Sequence, residues 1–275
     1  MVIVDQYGLM ECQRLLQTEC NIYLQSNVLN TTDAIHTAAQ GSAEWLEARR
    51  NRLTASNFGA VCRMRETTSP AKTVQRLLYN EFKGNSATRY GSESEDQTEA
   101  EYIEHLKQIG SSNVVIEHPG LVPIPESPML GASPDGVVRC TNPSLPERFA
   151  VEYKNPLSLI QKKLSVQQAA TEKGGGFPLK YNEKDGKFYA VKSHHYYYQV
   201  MGVMAATKTT MCHLVVRGYE SMAVATIEFD HVFFSDMKRR LLKFYHQAIL
   251  PELACPRLMK GLPIRPEFVN IEFEE

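Results

Sequence analysis

Apolar positions recur at helical spacing from about residue 4 to 26, where Leu9, Cys12, Leu15 and Leu16 predict a helix. The stretch Asn30 to Ser42 is polar and reads as a connector. Short helices are predicted from Trp45 to Arg50 and, capped by Thr54 or Ser56, to about Cys62. Ser69-Pro70 supplies a cap and a first-turn proline for another, ending near Phe82. Thr88 to Ile109 is long and amphipathic, and Gly110 stops it. The period then changes. Val114–Ile116, Leu121-Val122, Gly136–Val138 and Phe149–Tyr153 are short β-rich runs separated by Pro, Gly and Asn, and predict a mostly antiparallel sheet of three or four strands. Helical spacing returns from about Ser158 to Thr171, and Gly174-Gly175-Gly176 marks a turn. His194 to Thr207 reads as helix, Cys212 to Arg217 and Ala223 to Phe229 as strands, and Val232 to about Leu253 as a last helix. The expected fold class is α/β, a sheet flanked by helices.

Composition adds boundaries to this picture. Across 275 residues, 43% are hydrophobic and 22% charged, ordinary globular usage with material for a packed core. No apolar run reaches the roughly 18 residues of a membrane span, and Met1 to Asp5 lacks the basic start of a secretory signal. Six cysteines are scattered without a Cys-x-x-Cys pair, which argues against zinc and a disulfide framework, and for reduced thiols in an intracellular protein, nuclear or cytoplasmic.

The net charge of −1 excludes a bulk polycation, so any nucleic-acid contact must be local. Arg49, Arg50, Arg52, Arg63 and Arg65 form one basic run, against the single acid Glu47. The next long helix is acidic, with Glu93, Glu95, Asp96, Glu99, Glu101 and Glu104. An anionic substrate meeting carboxylate-held metal fits that polarity, and two solvated helix faces fit it as well.

Ser133-Pro134-Asp135-Gly136 sits at the turn into one predicted strand, and Val151-Glu152-Tyr153-Lys154 ends the next. Alternation along a strand puts Glu152 and Lys154 on one face and Tyr153 on the other. If the two strands are neighbours, Asp135 joins Glu152 and Lys154. Paired carboxylates suit a hard divalent cation, and a nearby lysine can orient or deprotonate water. Metal and lysine together suit phosphodiester hydrolysis. A strand-end salt bridge accounts for the same residues without chemistry. His194-His195 is a poor metal pair, because adjacent residues do not share a helix face.

Three further blocks carry a resemblance. Trp45-Leu46-Glu47-Ala48-Arg49 with Leu53-Thr54-Ala55-Ser56, then Tyr90-Gly91-Ser92-Glu93-Ser94-Glu95, then Tyr197-Tyr198-Gln199-Val200, stand in order around the Asp135 and Glu152-x-Lys154 pair. The set resembles the lambda exonuclease/YqaJ family of the PD-(D/E)xK nuclease superfamily, from Trp45 to about Thr207. The resemblance implies a restriction-endonuclease-like core with a mixed sheet, divided as a helical extension 1–40, a nuclease domain 41–254 and a tail 255–275. It implies Glu95, Asp135, Glu152, Lys154 and Gln199 as catalytic residues. Glu95, Asp135, Glu152 and the Tyr153 carbonyl would hold one or two Mg²⁺ ions, with Mn²⁺ substituting. Arg49, Ser56 and Arg52 would face a 5′-phosphate and DNA. The implied activity is hydrolysis of double-stranded DNA from a 5′ end in recombination or end resection. A single-strand annealing protein is an expected partner, and some relatives form trimers. The alternatives are an endonuclease, a nuclease on another nucleic acid, or a DNA-binding protein that kept only the fold.

Overall fold

The computed structural model describes residues 6–30, 40–80, 85–172 and 176–264. The segment Met1–Asp5, most of the predicted connector, Gly174, Gly175 and the end of the tail lie outside the described residues, as does the side chain of Cys12. The five other cysteines are free thiols, four of them buried. No helix among the described residues is long and apolar enough to cross a membrane.

Helix α1 (Gln6–Leu24) buries Leu16 and Cys20 and runs on as a π turn to Leu29. Helix α2 (Ala43–Arg50) starts where the Ser42 hydroxyl accepts from the Trp45 amide. Strand β1 (Leu53–Thr54) and helices α3 (Phe58–Cys62) and α4 (Ala71–Leu78) follow. The predicted long acidic helix is two: α5 (Ser86–Glu93) and α6 (Glu95–Gln108), broken at Ser94. Strands β2 (Ser112–Glu117), β3 (Val122–Ile124), β4 (Ser127–Ala132), β5 (Gly136–Thr141) and β6 (Arg148–Lys154) come next. The predicted helix after them is also two, α7 (Leu157–Gln161) and α8 (Val166–Thr171), parted at Lys163, whose φ is 51°. A hairpin of β7 (Leu179–Asn182) and β8 (Lys187–Ala190) precedes α9 (His195–Thr207). The chain closes with β9 (Met211–Gly218), β10 (Ser221–Glu228), α10 (His231–Phe244) and α11 (Leu250–Ala254).

The central sheet has five strands in the order β10-β9-β6-β5-β2, more than the three or four expected, and is mixed because β6 and β9 pair in parallel. A second sheet, β1-β4-β3, was not anticipated. Alternation along β6 divides the interior. Ala150 joins Leu214 and Val216 in the larger core. Phe149, Val151 and Tyr153 join Tyr102 and Leu106 of α6 in the smaller one. Helix α9 is apolar almost all round, the mark of a helix buried on every side. It packs among β6 and β9, β3 and β4, and α3.

Candidate active site

Antiparallel pairing of Gly136 with Val151 sets Asp135 beside Glu152 at the end of β5 and β6. Gly136 is required there, because a Cβ would lie 2.6 Å from Ile116 Cγ2 and 2.9 Å from Val151 Cγ1. The Tyr153 amide donates to Asp135 Oδ2 at 2.7 Å, fixing the carboxyl toward β6. Lys154 Nζ lies 2.8 Å from Glu152 Oε2 and 3.5 Å from Asp135 Oδ2. From α9, Gln199 Nε2 donates to the same Glu152 oxygen at 2.6 Å. Asp135, Glu152, Lys154 and Gln199 are thus one constellation, drawn from two strand ends and a helix.

Glu95 is the first residue of α6, exposed at the helix start yet close enough to Asp135 and Lys154 to feel both charges. The break at Ser94 is tethered to β6: Thr98 Oγ1 donates to Asn155 Oδ1 at 2.7 Å, and Asn155 Nδ2 donates to the Gly91 carbonyl at 3.2 Å. Burial, then repulsion from Asp135, pushes the Glu95 carboxyl up to about 7. Burial, then repulsion from Asp135, pushes Glu152 above the usual carboxylate range, while Lys154 pulls it back. Burial alone would lower the Lys154 ammonium, but the Asp135 and Glu152 carboxylates together raise it above its ordinary value, so the lysine stays charged.

The expected metal shell of Glu95, Asp135 and Glu152 is not gathered to coordination distance. Among the described residues, no three His, Cys, Asp or Glu side chains are grouped to hold an ion. Protein donors occupy Asp135 Oδ2 and Glu152 Oε2 instead. The residues nonetheless fit a hard cation. Glu152 is 0% exposed, and among the described residues its buried Oε1 has no hydrogen-bond donor. Three acids face one ammonium, an imbalance that a divalent cation would offset.

The basic run divides by burial. Arg49 donates to Ser133 Oγ at 3.2 Å and to Thr54 Oγ1 at 3.3 Å, and its guanidinium lies 4.4 Å from the centre of the Trp45 ring. Among the described residues it has no acidic partner, and burial lowers it to about 10. The exposed Ser56 reaches the same Thr54 hydroxyl at 3.5 Å. Arg52, expected at the DNA-facing surface, lies in the interior instead. It is 5% exposed and donates to the carbonyls of Pro128, Ala48 and Val28, so it ties α2 to β4 and to the turn after α1. His194 and His195 stack on each other 4.1 Å apart, and Tyr196 lies 5.2 Å from Lys154 Nζ.

Sequence reading missed Thr54, Ser133, Glu99 and His118. Ser133 accepts from both Trp45 Nε1 and Arg49, and stands two residues before Asp135. Its place in the Ser-Pro-Asp turn was the available signal. Glu99 lies one helical turn beyond Glu95, a spacing that could have marked it. His118 carries no local signal.

The profile of the YqaJ-like viral recombinase domain matches residues 44–210, more than half of the chain. Strands β9 and β10 lie beyond that match but belong to the same sheet. The fold is shared with LHK-Exo in complex with dAMP, at 21% identity and a TM-score of 0.55 over 80% of this chain and 98% of that one. It is equally shared with the alkaline exonuclease LHK-Exo from Laribacter hongkongensis, at 22% identity and a TM-score of 0.51 over 80% and 97%. No curated protein sequence matches the chain. By the match over residues 44–210 and this shared architecture, the chain belongs to the YqaJ-like viral recombinase family and has a restriction-endonuclease-like core.

Proposed function

We propose that the protein is a divalent-metal-dependent exonuclease that hydrolyses double-stranded DNA from a 5′-phosphorylated end. The observation that carries this is the buried Glu152 carboxylate, bonded to Lys154 and Gln199 beside Asp135, with one oxygen that no donor among the described residues reaches. A solvated strand-end salt bridge has no need of a fully buried acid and a second donor.

Asp135 and Glu152, with Glu95 and the Tyr153 carbonyl nearby, would hold Mg²⁺ or Mn²⁺. When bound, the cation polarises a phosphoryl oxygen and makes water a better nucleophile. Lys154, kept as an ammonium by its two acids, orients that water and offsets negative charge growing on phosphorus. Gln199 holds Glu152 so that Lys154 keeps its direction. Water adds to phosphorus in line, the bond from phosphorus to the 3′-oxygen breaks, and a 5′-phosphorylated mononucleotide leaves. The shortened strand then carries a new 5′-phosphate.

Arg49 supports the end requirement. A half-buried guanidinium with hydroxyl neighbours and, among the described residues, no acidic partner suits a phosphate dianion. Ser133, which accepts from Arg49, stands two residues before Asp135, so a phosphate on Arg49 would lie close to the proposed reacting centre. The 3′ single strand left behind would suit a strand-annealing partner.

The test uses linear duplexes with a 5′-phosphate or a 5′-hydroxyl, and a closed circle, each with Mg²⁺. Fast loss of the first, slow loss of the second and survival of the circle are expected. Lys154→Met and Asp135→Asn should each cost roughly 10²–10³-fold or more in turnover with the fold intact. Degradation of the circle at the linear rate would remove the end requirement, and full activity in both variants would remove this site from the chemistry.

A further inference from the structure

We infer that His118 and Glu99 are positioning residues that set the Asp135 carboxyl for cation binding; the inference rests on the nuclease reading above. His118 follows β2, and the pairing of Glu117 with Val137 carries it alongside Gly136 and Asp135. Its Nδ1 lies 2.8 Å from the Asp135 carbonyl oxygen, which can only accept, so the ring donates there. Its Nε2 lies 3.3 Å from Glu99 Oε1, an ion pair when the ring carries both protons. The other Glu99 oxygen accepts from the Tyr153 hydroxyl at 3.3 Å. Tyr153 in turn donates its amide to Asp135 Oδ2 at 2.7 Å.

These four contacts close a ring. Asp135 is gripped at its main chain by His118 and at its carboxyl by Tyr153, and Glu99 joins the two grips. The ring spans α6, the end of β2, the start of β5, and β6. It therefore fixes the acidic helix, which carries Glu95, relative to the strand that carries Glu152. An incidental surface ion pair would leave one end of each side chain in water. Here, with the ring protonated, both imidazole nitrogens and both Glu99 oxygens are engaged, and every path leads to a proposed ligand or its neighbour. The His118 side chain is 54% exposed, so it adds little to the core, and its removal tests positioning rather than folding. Partners that orient a metal ligand from behind typically govern affinity by roughly 10- to 100-fold.

The experiment compares wild type, His118→Ala, His118→Asn, Glu99→Ala and the double variant His118→Ala/Glu99→Ala, with Asp135→Asn as the reference. Calorimetry with Mn²⁺ in the absence of DNA reads affinity directly. Turnover on a 5′-phosphorylated duplex reads kcat and KM, and urea midpoints read stability. His118→Ala should weaken Mn²⁺ binding about tenfold and lower kcat, with KM for DNA and the urea midpoint unchanged. Asparagine can donate to the Asp135 carbonyl and should recover much of the loss. The double variant should lose no more than the worse single one, as members of one unit do. Wild-type Mn²⁺ affinity in His118→Ala, or independent losses that multiply, would overturn the proposal. If Asp135→Asn still abolishes Mn²⁺ binding and activity, the nuclease reading survives that failure. If Asp135→Asn changes neither, both fall together.

Discussion

Among the described residues, Arg49 carries a charge that no acidic side chain offsets. Its guanidinium is withdrawn from water, bonded to two hydroxyls and stacked near Trp45, and burial alone lowers it to about 10. Removing a half-buried charge that has no acidic partner relieves its desolvation, at the loss of two neutral hydrogen bonds. Arg49→Met should therefore raise unfolding free energy in urea by about 1 kcal/mol. It should also erase the preference for a 5′-phosphate over a 5′-hydroxyl end, and erase any protection by inorganic phosphate. A variant that is less stable and still discriminates the two ends would mean that Arg49 is a structural strut. Arg52, three residues on, is such a strut. Nothing local separates the two arginines. Arg52 is claimed by carbonyls 24 and 76 residues away, and contacts at that range leave no mark in the nearby sequence.

At the scale of elements, α9 governs how Gln199 meets Glu152. A Cβ on Gly202 would lie 2.5 Å from Phe58 Cε2 and 2.7 Å from Cδ2, so α9 touches α3 at closest approach there. Gly202→Ala should destabilise the protein by about 1–3 kcal/mol through overpacking. Phe58→Leu in the same chain should return part of that loss, since it frees the space the methyl needs. Additive losses in urea melts of the double variant would show that the clash is not the cause. The elements that were readable are those whose period is strong within their own residues. The alternation around Glu152 and Lys154, the apolar run of α9 and the β9–β10 pair are all local patterns. Strand β4 was not readable, because Pro128 and Gly131 make it look like a turn. Its extended form comes from pairing with β1 on one side and β3 on the other, a tertiary effect. The break at Ser94 was hidden for the same reason, since Asn155, 64 residues from Gly91, anchors it. The site followed suit. The acids and the lysine could be named from strand pattern and family likeness, while His118 enters only through the β2–β5 register.

For the whole molecule, the sheet separates two cores of unequal kind. The larger is aliphatic and is organised by α9. The smaller, under α6, surrounds His213, which is 2% exposed, 2.6 Å from the Tyr102 hydroxyl and packed against Phe149. Burial, then the neighbouring His105, lowers His213 from 6.5 to about 4. The folded state thus keeps the ring neutral where the unfolded chain would protonate it. The unfolded state binds the extra proton between those two values, so stability rises with pH across that interval. The contribution is complete above pH 6.5 and is lost as pH falls toward about 4, a change of up to roughly 3 kcal/mol. His194, also lowered to about 4, adds a smaller loss over the same range because it is only half buried. Glu95 and Glu152, raised in the fold, gain stability over the same fall in pH, so the His213 effect is read as a difference: between pH 7.5 and 4.5 the wild-type urea midpoint should drop relative to a variant without that ring. The double variant Tyr102→Phe/His213→Leu removes the ring together with the hydroxyl that faces it, so no buried polar group is stranded. It should lose much less over the same span. An identical slope in the two proteins would move the acid sensitivity out of this core.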